Sequence, residues 1–129
     1  MEKKTILLID DDVDFIEQMK TQLFYAGYNV ITAESQHEAE EIINKEKFDM
    51  VITDLMMENY DGGFGISYLV KKLFPEIPVV IVTSVNQELG FDFTTQKPSE
   101  KNWIKADELL KKPIRFEQLK KVIHKYLHE

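Results

Sequence analysis

Five side chains of the kind that can handle a phosphoryl group or a metal ion stand just after short apolar runs. Asp10 and Asp11 follow Ile6 to Ile9, Asp54 follows Met50 to Thr53, Thr83 follows Val79 to Val82, and Lys112 follows a poorer run near Glu108 to Lys111. A carboxylate can attack phosphorus to give an acyl phosphate. That step is helped chiefly by positioning and by neutralising charge on the equatorial oxygens, which a metal ion, an ammonium and a hydroxyl can share. An all-oxygen carboxylate set suits magnesium or manganese, which keep some water and bridge to phosphate.

Each residue alone has a plainer explanation. The run Asp10, Asp11, Asp12 reads as a helix N-cap with extra acids complementing the helix dipole. Asp54 reads as a turn or cap residue, Thr83 as a strand end and Lys112 as a solvated charge. A calcium loop of the EF-hand type accounts for Asp10, Asp12 and Asp14, but Phe15 stands where the turn needs glycine and Thr21 where the bidentate glutamate belongs. The phosphatase pattern Asp-x-Asp-x-(Thr or Val) is not met either, since Asp14 occupies its last place.

The elements that must position these residues follow from periodicity. The runs Ile6 to Ile9, Tyr28 to Thr32, Met50 to Thr53 and Val79 to Val82 read as four buried strands, with a fifth near Glu108 to Lys111. Ile16, Met19, Leu23 and Ala26 share one helix face, started by a capping box of Asp14 and Glu17 and stopped by Gly27. Ser35 and Glu38 repeat that signature before Ala39, Ile42 and Ile43, while Ile66, Leu69, Val70 and Leu73 form a third stripe ended by Pro75. Phe116, Leu119, Val122, Ile123 and Tyr126 form the buried face of the last helix. Strands and helices alternating in this way imply right-handed crossovers and a parallel sheet covered on both faces. Such sheets bind ligands beyond the carboxyl ends of their strands, the edge where all five residues fall. Three carboxylates gathered there would repel one another without a cation between them.

Bulk properties narrow the class. A chain of 129 residues with 43% apolar content reads as one domain, residues 1–129, with a core of its own. It contains no cysteine, which excludes disulfides and thiolate metal sites. The apolar runs are too short to cross a membrane and the first residues do not read as a signal peptide, so a cytoplasmic location is expected. A formal charge of −7 argues against direct nucleic-acid binding, which needs a basic face.

At these residues the chain resembles the receiver domains of response regulators. The resemblance rests on Leu7-Leu8-Ile9-Asp10-Asp11-Asp12, on Asp54-Leu55-Met56-Met57 closing with Asp61-Gly62, on Ile81-Val82-Thr83-Ser84, and on Lys111-Lys112-Pro113-Ile114. It implies a flavodoxin-like doubly wound sheet of strand order 2-1-3-4-5, an order that comes from the likeness to receivers and not from periodicity. It implies a cis bond before Pro113 as well. It also implies phosphorylation of Asp54, taking the phosphoryl group from a phosphohistidine of a histidine kinase or histidine phosphotransfer protein, with Mg2+ or Mn2+. In that reading Asp11 binds the metal directly and Asp10 through water, together with Asp54 and the backbone carbonyl of Met56. Thr83 and Lys112 take phosphoryl oxygens. Output would pass through contacts with a downstream protein, a phosphorylation-dependent dimer among them, and the chain would be a phosphoacceptor rather than an enzyme acting on outside substrates. The alternative is a receiver-like interaction module that is not phosphorylated.

The sequence departs from the family pattern in three places. Glu58 replaces a common proline. Leu109 stands where many receivers have Tyr or Phe, which questions aromatic gating. The stretch from Val85 to Asp107 is long and polar, so the helix between strands four and five is expected to be shortened or replaced by a loop, with Phe91, Phe93 and Trp103 filling its space or, in the alternative reading, forming a partner-binding patch anchored by Trp103. Met56 and Val85 are apolar at the positions that tune phosphoryl lifetime in the family and offer no hydrogen bond to water, so slow self-dephosphorylation is expected.

Overall fold

A computed structural model describes residues 3–55, 62–84 and 106–127. Five strands run β1 (Thr5–Ile9), β2 (Asn29–Ala33), β3 (Met50–Asp54), β4 (Val79–Thr83) and β5 (Glu108–Lys111). Among the described residues four helices accompany them, α1 (Val13–Tyr25), α2 (Gln36–Lys45), α3 (Gly62–Leu73) and α4 (Phe116–Leu127). All strand pairs are parallel and the order is β2-β1-β3-β4-β5, the flavodoxin-like arrangement expected from the resemblance. The expected change to the helix between β4 and β5 falls on residues 85–105, outside the described residues, as do Phe91, Phe93 and Trp103.

Alternation along the strands divides the core into two layers. Ile6 and Leu8, Met50 and Ile52, and Val80 and Val82 meet Ile16, Met19 and Leu23 of α1 and Leu119 and Ile123 of α4. On the other face Leu7 and Ile9, Val51, and Val79 and Ile81 meet Ala39 and Ile43 of α2 and Ile66 and Val70 of α3. Every residue of β3 and β4 is buried, because helices cover both faces, and this is why those strands lack polar alternation. β5 is an edge strand with a half-buried sequence, which accounts for its weaker apolar run.

Some local expectations need correction. α1 is capped by Asp12, whose side chain accepts from the Phe15 N–H at 3.2 Å, so Asp14 lies inside the first turn and Asp14–Glu17 is not the capping box. Ser35 does cap α2, accepting from the Glu38 N–H at 3.1 Å. The Glu38 carboxylate reaches the Glu34 N–H, one residue before the cap. Gly27 takes φ 101°, a left-handed value that ends α1. Leu73 is 43% exposed rather than part of the α3 stripe, because Phe74 packs into the core in its place. Of the α4 stripe, Leu119 and Ile123 are fully buried, while Phe116, Val122 and Tyr126 pack at its border. β2 begins at Asn29, one residue later than expected, and runs to Ala33.

Candidate functional site at the carboxyl edge of the sheet

Register alone brings the acidic residues together. Ile9 lies opposite Thr53 in the β1–β3 pair, so Asp10 and Asp54, each the next residue, emerge side by side. Asp10 is anchored through its backbone, its N–H donating to the Ala33 carbonyl at 3.1 Å. Asp10, Asp11 and Asp54 each offer a carboxylate oxygen, and these oxygens all lie within 4.8 Å of one another. Asp10 and Asp54 are buried, at 1% and 8% exposure, whereas Asp11 is exposed and leaves the cluster open to solvent.

Lys112 enters from the far edge. The Lys112 N–H donates to the Thr83 carbonyl at 2.8 Å, tying the end of β5 to the end of β4, and the Lys112–Pro113 peptide is cis as the resemblance implied. The ammonium donates to Asp10 Oδ2 at 2.8 Å and stands 3.7 Å from Asp54 Oδ1. In this state its closer partner is therefore Asp10. Thr83 is buried at the end of β4, and Ser84 after it is exposed. Met56, named for its backbone carbonyl, and Glu58 lie outside the described residues, as does Val85.

The electrostatics follow from burial. The Asp54 carboxyl is pushed up to about 6, first by burial and then by the Asp10 charge, with a smaller push from Asp11; Lys112 and the Leu55 N–H oppose them. Lys112 titrates above the ordinary lysine value. Burial alone would lower it, but the hydrogen bond to Asp10 and the charges of Asp54, Asp10 and Asp12 outweigh that. Three carboxylates thus face one ammonium among the described residues, and the pocket keeps an excess of negative charge. A hard divalent cation fits that donor set, all oxygen, partly buried and open on the Asp11 side.

Phe15 was missed by the reading of the sequence. Its ring centroid lies 4.4 Å from the Lys112 ammonium. The signal was present in the spacing, since Phe15 precedes Met19 and Leu23 by one and two helical repeats and so borders the buried stripe of α1. Leu109, noted for its missing aromatic ring, is partly buried and packs against the α2/α3 layer.

Known proteins place this arrangement. The sequence pattern of the response regulator receiver domain matches residues 6–124. The transcriptional regulatory protein GlrR of Escherichia coli (strain K12) is 36% identical over 106 residues, covering 75% of this chain and 23% of GlrR. ZraR of Salmonella typhimurium, also a transcriptional regulatory protein, is 31% identical over 125 residues, or 97% of this chain and 26% of ZraR. The chain therefore spans about a quarter of the length of these relatives. Among solved structures, a receiver domain from Clostridium thermocellum superposes with TM-score 0.81 at 28% identity, covering 97% of this chain and 94% of that one. The response regulator TrrA from Thermotoga maritima, solved in complex with Mg2+-BeF, gives 0.78 at 26% identity, covering 95% and 98%. With the match running from β1 into α4, the chain belongs to the response regulator receiver domain family.

Proposed function

We propose that this receiver is a working phosphoacceptor switch, in which Asp54 takes a phosphoryl group from a phosphohistidine of a histidine kinase or phosphotransfer protein. The observation that carries the reading is the buried Asp54 carboxylate, held beside Asp10 and Asp11 with the Lys112 ammonium 3.7 Å away. A carboxylate so placed cannot shed its neighbours' charge into water, so a cation and an incoming phosphoryl group meet a prepared site. Asp10, Asp11, Asp54 and the Met56 carbonyl would hold Mg2+ or Mn2+, which when bound offsets charge on the phosphoryl oxygens. The structure of TrrA with Mg2+-BeF supports that choice for the family.

In the transfer, an Asp54 oxygen forms a bond to phosphorus as the donor's N–P bond breaks. The electron pair stays on the imidazole, which leaves neutral because its other nitrogen carries a proton. Lys112 exchanges Asp10 for a phosphoryl oxygen, and the Thr83 hydroxyl donates to another. Both residues sit on strand ends joined by the Lys112 N–H to Thr83 carbonyl bond, so new charge at Asp54 pulls on β4 and β5 together. We place this activity in the cytoplasm and the output in protein contacts rather than in direct DNA binding or in turnover of an outside substrate. No helix among the described residues is long and apolar enough to cross a membrane.

Incubation with acetyl phosphate and Mg2+, followed by intact-mass and peptide mapping, should add one phosphoryl group at Asp54 and none to Asp54→Asn. A wild-type protein that takes up neither acetyl-phosphate phosphorus nor beryllofluoride would instead be the unphosphorylated interaction module.

A further inference from the structure

Lys112 is held from two sides, and the two restraints form a closed circuit. Asp10 Oδ2 accepts from the Lys112 ammonium at 2.8 Å, while Asp10 Oδ1 accepts from the Asp12 N–H at 2.9 Å. Asp12 in turn caps α1 by accepting from the Phe15 N–H at 3.2 Å, and the Phe15 ring comes back over the Lys112 ammonium at 4.4 Å. The backbone that carries Phe15 is thus set by the same carboxylate that binds the lysine. The Lys112 side chain is 20% exposed, so its cation is partly stripped of water and a ring face over it attracts it more strongly than it would in bulk solvent.

Asp10 also belongs to the carboxylate cluster, so any cation taken up there competes with Lys112 for Asp10. Once Asp10 is engaged, Lys112 gives up its 2.8 Å partner and keeps only the looser 3.7 Å pairing with Asp54, which leaves its flexible four-carbon stem freer to carry the ammonium away from the site. The ring contact is not made through the Asp10 Oδ2 bond that is exchanged, and while Asp10 Oδ1 keeps the Asp12 N–H the backbone that carries Phe15 keeps its place.

We propose that Phe15 is a positioning residue for Lys112, its ring keeping the ammonium at the site mouth while the lysine passes from Asp10 to the phosphoryl group on Asp54. This deepens the phosphoacceptor reading and rests on it. The reaction served is unchanged: an Asp54 oxygen–phosphorus bond forms as the donor bond breaks, and with acetyl phosphate the electron pair departs on acetate. Phe15 touches none of the reacting atoms, and its contribution passes entirely through Lys112.

The test is the rate of Asp54 phosphorylation by acetyl phosphate at saturating Mg2+ in the intact chain. Phe15→Leu keeps an apolar side chain but removes the ring face, and it should slow the reaction about two- to fivefold, the range of a partly exposed cation–π contact. Phe15→Tyr should restore the rate. In a Lys112→Met background, Phe15→Leu should change nothing further, whereas a merely structural role would cost the same in both backgrounds. A second readout needs no phosphoryl transfer: the Lys112 ε-methylene protons should be shifted upfield by the ring in wild type, keep that shift with Mg2+ and beryllofluoride, and lose it in Phe15→Leu. A wild-type rate in Phe15→Leu, an equal slowing in both backgrounds, or loss of the upfield shift on adding Mg2+ and beryllofluoride would overturn the inference. Wild type that is never phosphorylated sinks the phosphoacceptor reading itself, which separates the two failures.

Discussion

Asp54 is costly for the fold to keep ionised. Its folded value of about 6 lies above the ordinary 3.8, because burial and then the Asp10 charge disfavour the carboxylate. For an acid raised in this way, the native state prefers the protonated form. Stability from this group is therefore fully present below the unfolded value and lost as pH rises through the folded one. Between roughly pH 4 and 6 the metal-free protein should lose on the order of 2 kcal/mol at most through Asp54. Asp54→Asn, which mimics the neutral form, should melt with wild type near pH 4 and well above it at about pH 7.5. Adding Mg2+ should narrow that gap by binding native wild type. Equal melting temperatures of the two proteins across that range, without metal, would show that Asp54 is not strained by its neighbours. The cost has a functional counterpart, since a site that is short of positive charge is ready to accept a cation.

At the level of elements, the first turn of α1 matters most, because it joins the acidic loop to the helix that covers one face of the sheet. Asp12 and Asp14 look interchangeable as caps by residue type, and they differ in what they touch. The Asp12 carboxylate accepts the Phe15 N–H, whereas Asp14 is a first-turn acid that complements the helix dipole. Asp12→Ala should cost about 1 kcal/mol in urea unfolding, and Asp14→Ala a few tenths. The reverse ranking would return the cap to Asp14. At the opposite end of the fold, β5 and α4 are tied by the Tyr126 hydroxyl, which donates to the Asp107 carbonyl at 2.8 Å. The Asp107 carboxylate accepts from the Val79 N–H at 2.8 Å and pairs with Lys71 at 2.6 Å. The edge strand that delivers Lys112 is thus fastened to β4, α3 and α4, which offsets its poor apolar sequence.

Across the whole molecule, stability rests on the two buried layers around β3 and β4. Ile81→Ala in the centre of β4 should cost about 2–5 kcal/mol, a large share of a typical domain's stability, and Leu73→Ala under about 1 kcal/mol because that side chain is largely exposed. Chemical denaturation of the metal-free protein checks both, and a costly Leu73→Ala would restore Leu73 to the core stripe. The sequence by itself determined the parallel α/β class, the four strong strands, the Ser35 cap, the Gly27 stop and the edge on which Asp10, Asp11, Asp54, Thr83 and Lys112 gather. Those features are local, since apolar runs, 3.6-residue stripes and capping residues act within a few positions of one another. Tertiary structure alone decided that Lys112 rests on Asp10 rather than Asp54, that Phe15 lies over its ammonium, and that Phe74 takes the place of Leu73. These outcomes depend on distances between side chains far apart in the chain, Lys112 and Asp10 being 102 residues apart. Spacing along a sequence can bring charges to one edge of a sheet, but only the packed fold determines which carboxylate a flexible lysine reaches.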